Sequence, residues 1–153
     1  MTLHDLHEYE RSTSIFLDTV THVTAENLDR HVPGGWSARQ VIHHAADSET
    51  QSYVRLRRLL AEPSGSIIQG YDEAAWAQSP QLGYTELPID HSLAVFRAVR
   101  QASHDILQRL SDDDLERHGV HSESGDYSVA TWLSVYIEHP RGHAAQLTEA
   151  ISA

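Results

Sequence analysis

The sequence predicts an all-α four-helix bundle with one long crossover between its second and third long helices. Three observations predict it: four stretches with helical periodicity, a loop-rich segment between the second and third, and no run of strand-type alternation or internal repeat. The first stretch, from Leu6 to about Val23, carries Ile15, Phe16, Val20 and Val23 in an imperfect amphipathic pattern. Pro33-Gly34-Gly35-Trp36 breaks the chain, and Ser37-Ala-Arg-Gln40 reads as a capping box opening a helix to about Leu60. Val41, His44, Ala45, Ser48, Tyr53, Leu56 and Leu59 are available to its inner side, and Pro63-Ser-Gly65-Ser stops it. Residues 67–88 form the crossover, with a short helix expected around Asp72–Gln78. The third long helix runs from about Asp90 to Leu110, presenting Leu93, Phe96, Val99, Ile106, Leu107 and Leu110. Ser111-Asp-Asp-Asp114 caps a single turn, Glu123-Ser-Gly125-Asp126 is a tight turn, and Ser128 caps the last helix.

Composition bounds the chemistry. The 153 residues are expected to fold as one domain over 1–153, with enough chain to bury a core. A net charge of −11 repels phosphate backbones and anionic lipid, so neither nucleic acid nor membrane is an expected partner. The polar, acidic start of the chain is unlike a signal peptide, and the cytoplasm is the expected location. Cysteine is absent, which removes disulfides, thiolate ligands and a cysteine nucleophile. Lysine is absent too, all 11 basic residues being arginine, so no Schiff base can form. Histidines, carboxylates, hydroxyls, arginines or a metal must carry any reaction, and there are 12 histidines.

The pair His139 and His143 is the strongest chemical signal. Positions i and i+4 of a helix lie roughly 5–6 Å apart at Cβ, so two imidazoles can converge on one metal ion. Trp132, Tyr136, His139, His143 and Leu147 form one stripe, so both histidines point with the aromatic core. By spacing alone they read first as hydrogen-bonded core histidines, because short metal motifs often occur without a metal. Pro140, where a zincin helix has its general-base glutamate, removes the bond to the Tyr136 carbonyl. It either kinks or bulges the helix or sits as an irregularity in an exposed turn. A third ligand is expected from Val41-Ile-His43-His44-Ala-Ala-Asp47, where the adjacent histidines face about 100° apart and are not expected both to look inward. Asp47 is placed either to orient a ligating His44 or to pair with Arg39 or Arg55. His4, His7, His22, His31, His91, His104, His118 and His121 lack ligand spacing and are expected to face solvent.

Three motifs in order then carry a family resemblance. Gly34-Gly-Trp-Ser-Ala-Arg-Gln-Val-Ile-His-His-Ala-Ala-Asp47 resembles the second-helix signature of the DinB/YfiT-like superfamily. Tyr71-Asp-Glu-Ala-Ala-Trp76-Ala resembles the loop motif of its YfiT-like branch, and His139-x-x-x-His143-x-x-Gln146 resembles its last helix. The resemblance covers about residues 33–147 and implies a four-helix bundle, often a homodimer, holding nickel or zinc through three histidines. Matched position by position, the ligands are His44, His139 and His143. Between the last two, Pro140-Arg-Gly142 departs from relatives that keep a second histidine or an acidic residue. Arg55, Tyr71 and Trp76 accompany the motifs and are the candidate substrate contacts.

The resemblance implies a metal-dependent S-transferase joining a low-molecular-weight bacterial thiol, bacillithiol-like, to an electrophile. With no cysteine in the chain, the thiol must arrive as substrate. The alternatives are a metal-dependent hydrolase, with Asp47 as the available motif carboxylate, and a metal-binding bundle without turnover.

Overall fold

The computed structural model describes residues 3–153, with side chains from Asp5 onward; the expectation for His4 lies outside the described side chains. Four long helices form the bundle: α1 (Leu3–Val20), α2 (Ala38–Ala61), α4 (Asp90–Leu107) and α6 (Val129–Ile151). α1 lies against α6, α2 against both α4 and α6, and α1 touches α4 more lightly. The crossover from α2 to α4 holds a two-residue strand β1 (Ile67–Ile68), the short α3 (Glu73–Gln78) and a 3₁₀ turn at Pro80–Leu82. Between α4 and α6 come α5 (Asp112–Leu115) and a hairpin of β2 (His118–His121) and β3 (Gly125–Ser128).

Local chemistry sets these boundaries. At the start of α2 the Gln40 amide donates to Ser37 Oγ at 3.3 Å, and the Ser37 amide donates to Gln40 Oε1 at 2.9 Å, so the capping box is complete. Asp72 caps α3 by accepting from the Ala75 amide at 2.9 Å. Ser128 caps α6 by accepting from the Thr131 amide at 3.0 Å. Ser111 and Asp114 form a second capping box around α5.

The expectation of no strands is corrected. β1 pairs in parallel with β2, and β2 pairs antiparallel with β3, His121 lying opposite Gly125. The expected turn at residues 123–126 closes this hairpin, and Gly125 takes a φ of +84°, a conformation glycine adopts without strain. β1 has only two residues, and β2 buries Gly119 and His121 while Val120 faces outward, so its alternating burial leaves no apolar alternation in the sequence. Their role is positional. The Gly70 amide donates to Ser122 Oγ at 2.9 Å, which ties the crossover just before α3 to the hairpin.

The core is layered along the bundle. One apolar cluster centres on Trp132, with Tyr9, Leu56, Leu59, Leu107, Val129 and Tyr136; the Trp132 indole N–H donates to the Ser52 carbonyl at 3.0 Å. The other centres on Phe16 and Phe96, with Val41, Ile42, Ala45, Leu93 and Leu147. Along α1, α2 and α4 residues between the two clusters are polar and buried: Ser12 on α1, Ser48, Glu49 and Ser52 on α2, Arg100 and Ser103 on α4.

Arg100 organises this layer. Its Nε donates to Thr13 Oγ1 (2.7 Å), Nη1 to Glu49 Oε1 (3.2 Å) and the Tyr136 carbonyl (2.7 Å), and Nη2 to the Tyr9 carbonyl and Ser12 Oγ (both 2.8 Å). The guanidinium also stacks over the Tyr9 ring at 3.5 Å. The Tyr136 carbonyl is the one that Pro140 cannot serve. Pro140 is therefore not in an exposed turn: it is buried, and α6 continues through it.

Substituting Ser37 by Ala removes one acceptor of the α2 capping box. Urea denaturation is expected to show a loss of about 1 kcal/mol with an unchanged slope.

Candidate metal centre

α2 and α6 pack against each other where His44 faces the i, i+4 pair. His44 is 1% exposed, and its ring meets the Trp36 edge with centroids 5.0 Å apart. His44 Nε2 lies 3.3 Å from His139 Nε2, which lies 3.0 Å from His143 Nε2, and one donor nitrogen from each ring falls within 4.8 Å of both others. Tetrahedral coordination at about 2.0–2.1 Å puts neighbouring ligand nitrogens about 3.3–3.4 Å apart. The donor set fits a divalent ion.

The electrostatics agree with ligand duty. Burial, reinforced by the neighbouring His143, pushes His44 down to about 4. Burial, with His143 and His44 adding, pushes His139 down to about 2. Burial lowers His143 as well, against a hydrogen bond to Gln146 that raises it. His143 Nδ1 donates to Gln146 Oε1 at 2.8 Å, which fixes the tautomer and leaves Nε2 bare toward the other two nitrogens. At neutral pH the three rings are uncharged, the state in which imidazole binds metal.

The neighbouring histidine has a different task. His43 is also buried, at 5% exposure, because the crossover covers the α2 face that the sequence reading assigned to solvent. Its Nε2 donates to the Leu87 carbonyl at 3.1 Å, so Nδ1 accepts from Ser92 Oγ at 2.7 Å. His43 thus pins crossover and α4 to α2. His121, also expected at the surface, is buried against Tyr127 with ring centroids 5.3 Å apart.

Asp47 does not orient His44. It accepts the Tyr84 hydroxyl at 2.5 Å, while His44 Nδ1 is buried with no hydrogen-bond partner among the described residues. Burial raises the Asp47 carboxyl, and Tyr84 and His43 partly offset that. The alternative pairings fail as well: Arg39 binds Asp29 through two hydrogen bonds at 2.7 and 2.9 Å. Arg55 donates to the Tyr136 hydroxyl at 3.2 Å and the Gln69 carbonyl at 3.1 Å, bridging α2, α6 and the end of β1. Tyr71 and Trp76 pack together at 4.7 Å between centroids. Tyr71 lines a cavity of about 440 Å³ with Trp36, Asp72, Glu73 and Glu123.

Glu73 is the residue that sequence reasoning missed. Its Oε2 lies 3.5 Å from His44 Nε2, and the side chain is 58% exposed. It stands inside the Tyr71-to-Trp76 motif, yet nothing in that motif's spacing relates it to a histidine 29 positions earlier. Gln146 likewise ends the last-helix motif, where its spacing of three from His143 was the available clue.

Comparisons with known proteins show the family and the fold. The family model of the DinB superfamily matches residues 8–147. The chain belongs to the DinB superfamily. It is 36% identical over 144 residues to a protein of Oceanobacillus iheyensis provisionally named a metal-dependent hydrolase, covering 94% of this chain and 81% of that one. A Bacillus cereus protein of the same provisional name is 36% identical over 115 residues, or 75% of this chain; the match spans 64% of that relative's length. Among solved structures, Bacillus subtilis YfiT superposes with a TM-score of 0.86 at 27% identity, covering 98% of this chain and 87% of that one. That protein is described as a probable metal-dependent hydrolase with an unusual four-helix bundle topology. Among the described residues no helix is long and apolar enough to cross a membrane.

The neutral triad gives a pH signature in the metal-free protein. Unfolded histidines take up protons below about 6.5, whereas His44 waits until about 4 and His139 until about 2. The unfolded state therefore binds more protons, and stability falls as the pH drops from 6.5 toward 4. Each such imidazole contributes about 1.4 kcal/mol per pH unit. His139→Asn is expected to flatten the slope of unfolding free energy against pH by about that amount. An unchanged slope refutes a buried neutral His139.

Proposed function

We propose that this DinB-superfamily protein is a metal-dependent hydrolase whose divalent ion, nickel or zinc, is held by His44, His139 and His143. The observation that carries the reading is the Glu73 carboxylate, 3.5 Å from Nε2 of a ligating histidine and open to solvent. A divalent ion bound by neutral imidazoles supplies Lewis acidity, which acidifies water and polarises a substrate carbonyl. Glu73 Oε2 accepts the proton of the attacking water, and its exposure lets that proton pass on to solvent. Gln146 holds His143 with its ligating nitrogen deprotonated. Burial pushes the Tyr71 phenol up to about 12, so it stays protonated and serves as a hydrogen-bond donor to substrate at the cavity wall. Trp36 supplies apolar cover for the substrate, Trp76 packs on Tyr71 without lining that cavity, and Arg55 braces Tyr136 one turn before His139.

A second reading keeps the centre and exchanges water for a low-molecular-weight thiol, bacillithiol-like, transferred to an electrophile. With no cysteine in this sequence, the thiol would arrive as substrate. Glu73 then accepts the thiol proton. The homodimer implied by family resemblance belongs to this proposal, and a concentration-independent monomer in sedimentation overturns that part.

Metal-loaded protein assayed on ester and amide panels, and in parallel on thiols with alkylating electrophiles, separates the two chemistries. Hydrolysis that disappears on metal removal and in His143→Ala is the expected result. Thiol conjugation alone replaces the hydrolase with the transferase, and silence in both with tight metal binding leaves a bundle without turnover. Glu73→Gln is expected to lower kcat by about 100-fold while the ion stays bound. Full activity in that variant removes Glu73 from the mechanism.

A further inference from the structure

We propose that Arg100 is a positioning residue of the metal centre, its guanidinium on α4 supplying the hydrogen-bond donor that the Pro140 backbone withholds from α6. The proposal rests on the reading that His44, His139 and His143 hold a metal, and it concerns how α6, which carries His139 and His143, is kept in shape.

Pro140 has no N–H, so the Tyr136 carbonyl loses its partner within the helix, in the turn that carries His139. The proline ring also crowds the carbonyl four residues back, which is why such a site ordinarily kinks or opens. Here Arg100 Nη1 donates to that carbonyl at 2.7 Å, and the helix runs on to Ile151. His143, one turn later, meets His139 Nε2 to Nε2 at 3.0 Å, a distance that depends on this turn holding its helical shape.

Arg100 is itself held by every other long helix. Tyr9, Ser12 and Thr13 anchor it on α1 and Glu49 on α2, and the guanidinium is 1% exposed. A lysine has one ammonium and cannot reach all these acceptors at once. Arg100 makes no hydrogen bond to the three ligands; its charge reaches His139 through space, and its one hydrogen bond to their helix is to the Tyr136 carbonyl, the contact that a change at residue 140 can replace.

Cobalt(II) is the probe, with affinity read by competition and geometry by its visible absorption. Removing Arg100 alone strands the Glu49 charge, so the variant is Arg100→Met with Glu49→Gln. This pair is expected to weaken cobalt binding about 10–100-fold and to alter the absorption bands, with the helical circular dichroism retained. Adding Pro140→Ala restores an N–H to the turn and is expected to return the affinity to within about 3-fold of wild type. A purely structural arginine would not be rescued by a change at residue 140. Wild-type affinity and spectrum in the folded Arg100→Met, Glu49→Gln protein overturn the proposal, as does a loss that Pro140→Ala fails to repair. Should the double variant not fold, Arg100→Lys, which keeps the charge beside Glu49, gives the reading instead. Affinity at least about 5-fold weaker and repaired by Pro140→Ala supports the role, and unchanged affinity ends it.

Discussion

Five N–H groups of one buried arginine find five acceptors on three other helices, and the arrangement of the bundle follows from that saturation. A guanidinium removed from water is tolerated only when paired and fully hydrogen-bonded. Arg100 meets both conditions through the Glu49 carboxylate and four oxygens, and its cation stacks on the Tyr9 ring. Burial pushes Glu49 upward, and Arg100 and Ser52 pull it back. The apolar clusters above and below exclude water from this layer, so each acceptor has one geometry in which it is satisfied. Sliding any long helix by a turn would leave several buried polar atoms without partners, a larger penalty than apolar side chains alone would impose.

That layer and the metal centre share α6. Tyr136 gives its carbonyl to Arg100 and its hydroxyl to Arg55, and His139 follows three residues later. The same α2 that places Glu49 inward places His44 five residues earlier, against Trp36. A polar layer spanning all four helices thus fixes the relative height of the two helices that supply imidazoles. Three nitrogens at about 3 Å spacing from two helices require that kind of register, because converging neutral donors repel unless a cation or proton lies between them.

How much of this the sequence disclosed depends on the range of each interaction. Capping boxes, the i, i+4 histidines and the amphipathic stripes are local, and they stand where the residues indicated. The pairing of His44 with His139 and His143 crosses 95 positions and more; resemblance pointed to it, and spacing could not. Arg100 was illegible because an arginine flanked by valine and glutamine on an amphipathic helix reads as a solvated charge, and only packing reveals its burial. His43 departs from the one-faced pattern because a helix has one inner face in a simple bundle, whereas the crossover here covers a second. The sheet is illegible because β1 has two residues and β2 buries a glycine and a histidine in place of apolar side chains.

The crossover gives the centre its second component. α3 is six residues long, with Asp72 as its cap, the Trp76 ring against Tyr71 and the Gly70 amide tied to Ser122. It contributes little to the bundle core, since only Ala77 of its residues is buried. The bundle therefore supplies the nitrogen donors from rigid helices, and a lightly packed segment brings a carboxylate beside them. Side chains on such a segment can be exchanged without disturbing the polar layer or the triad. The crossover places a carboxylate beside the triad, and the bundle fixes the three nitrogens themselves.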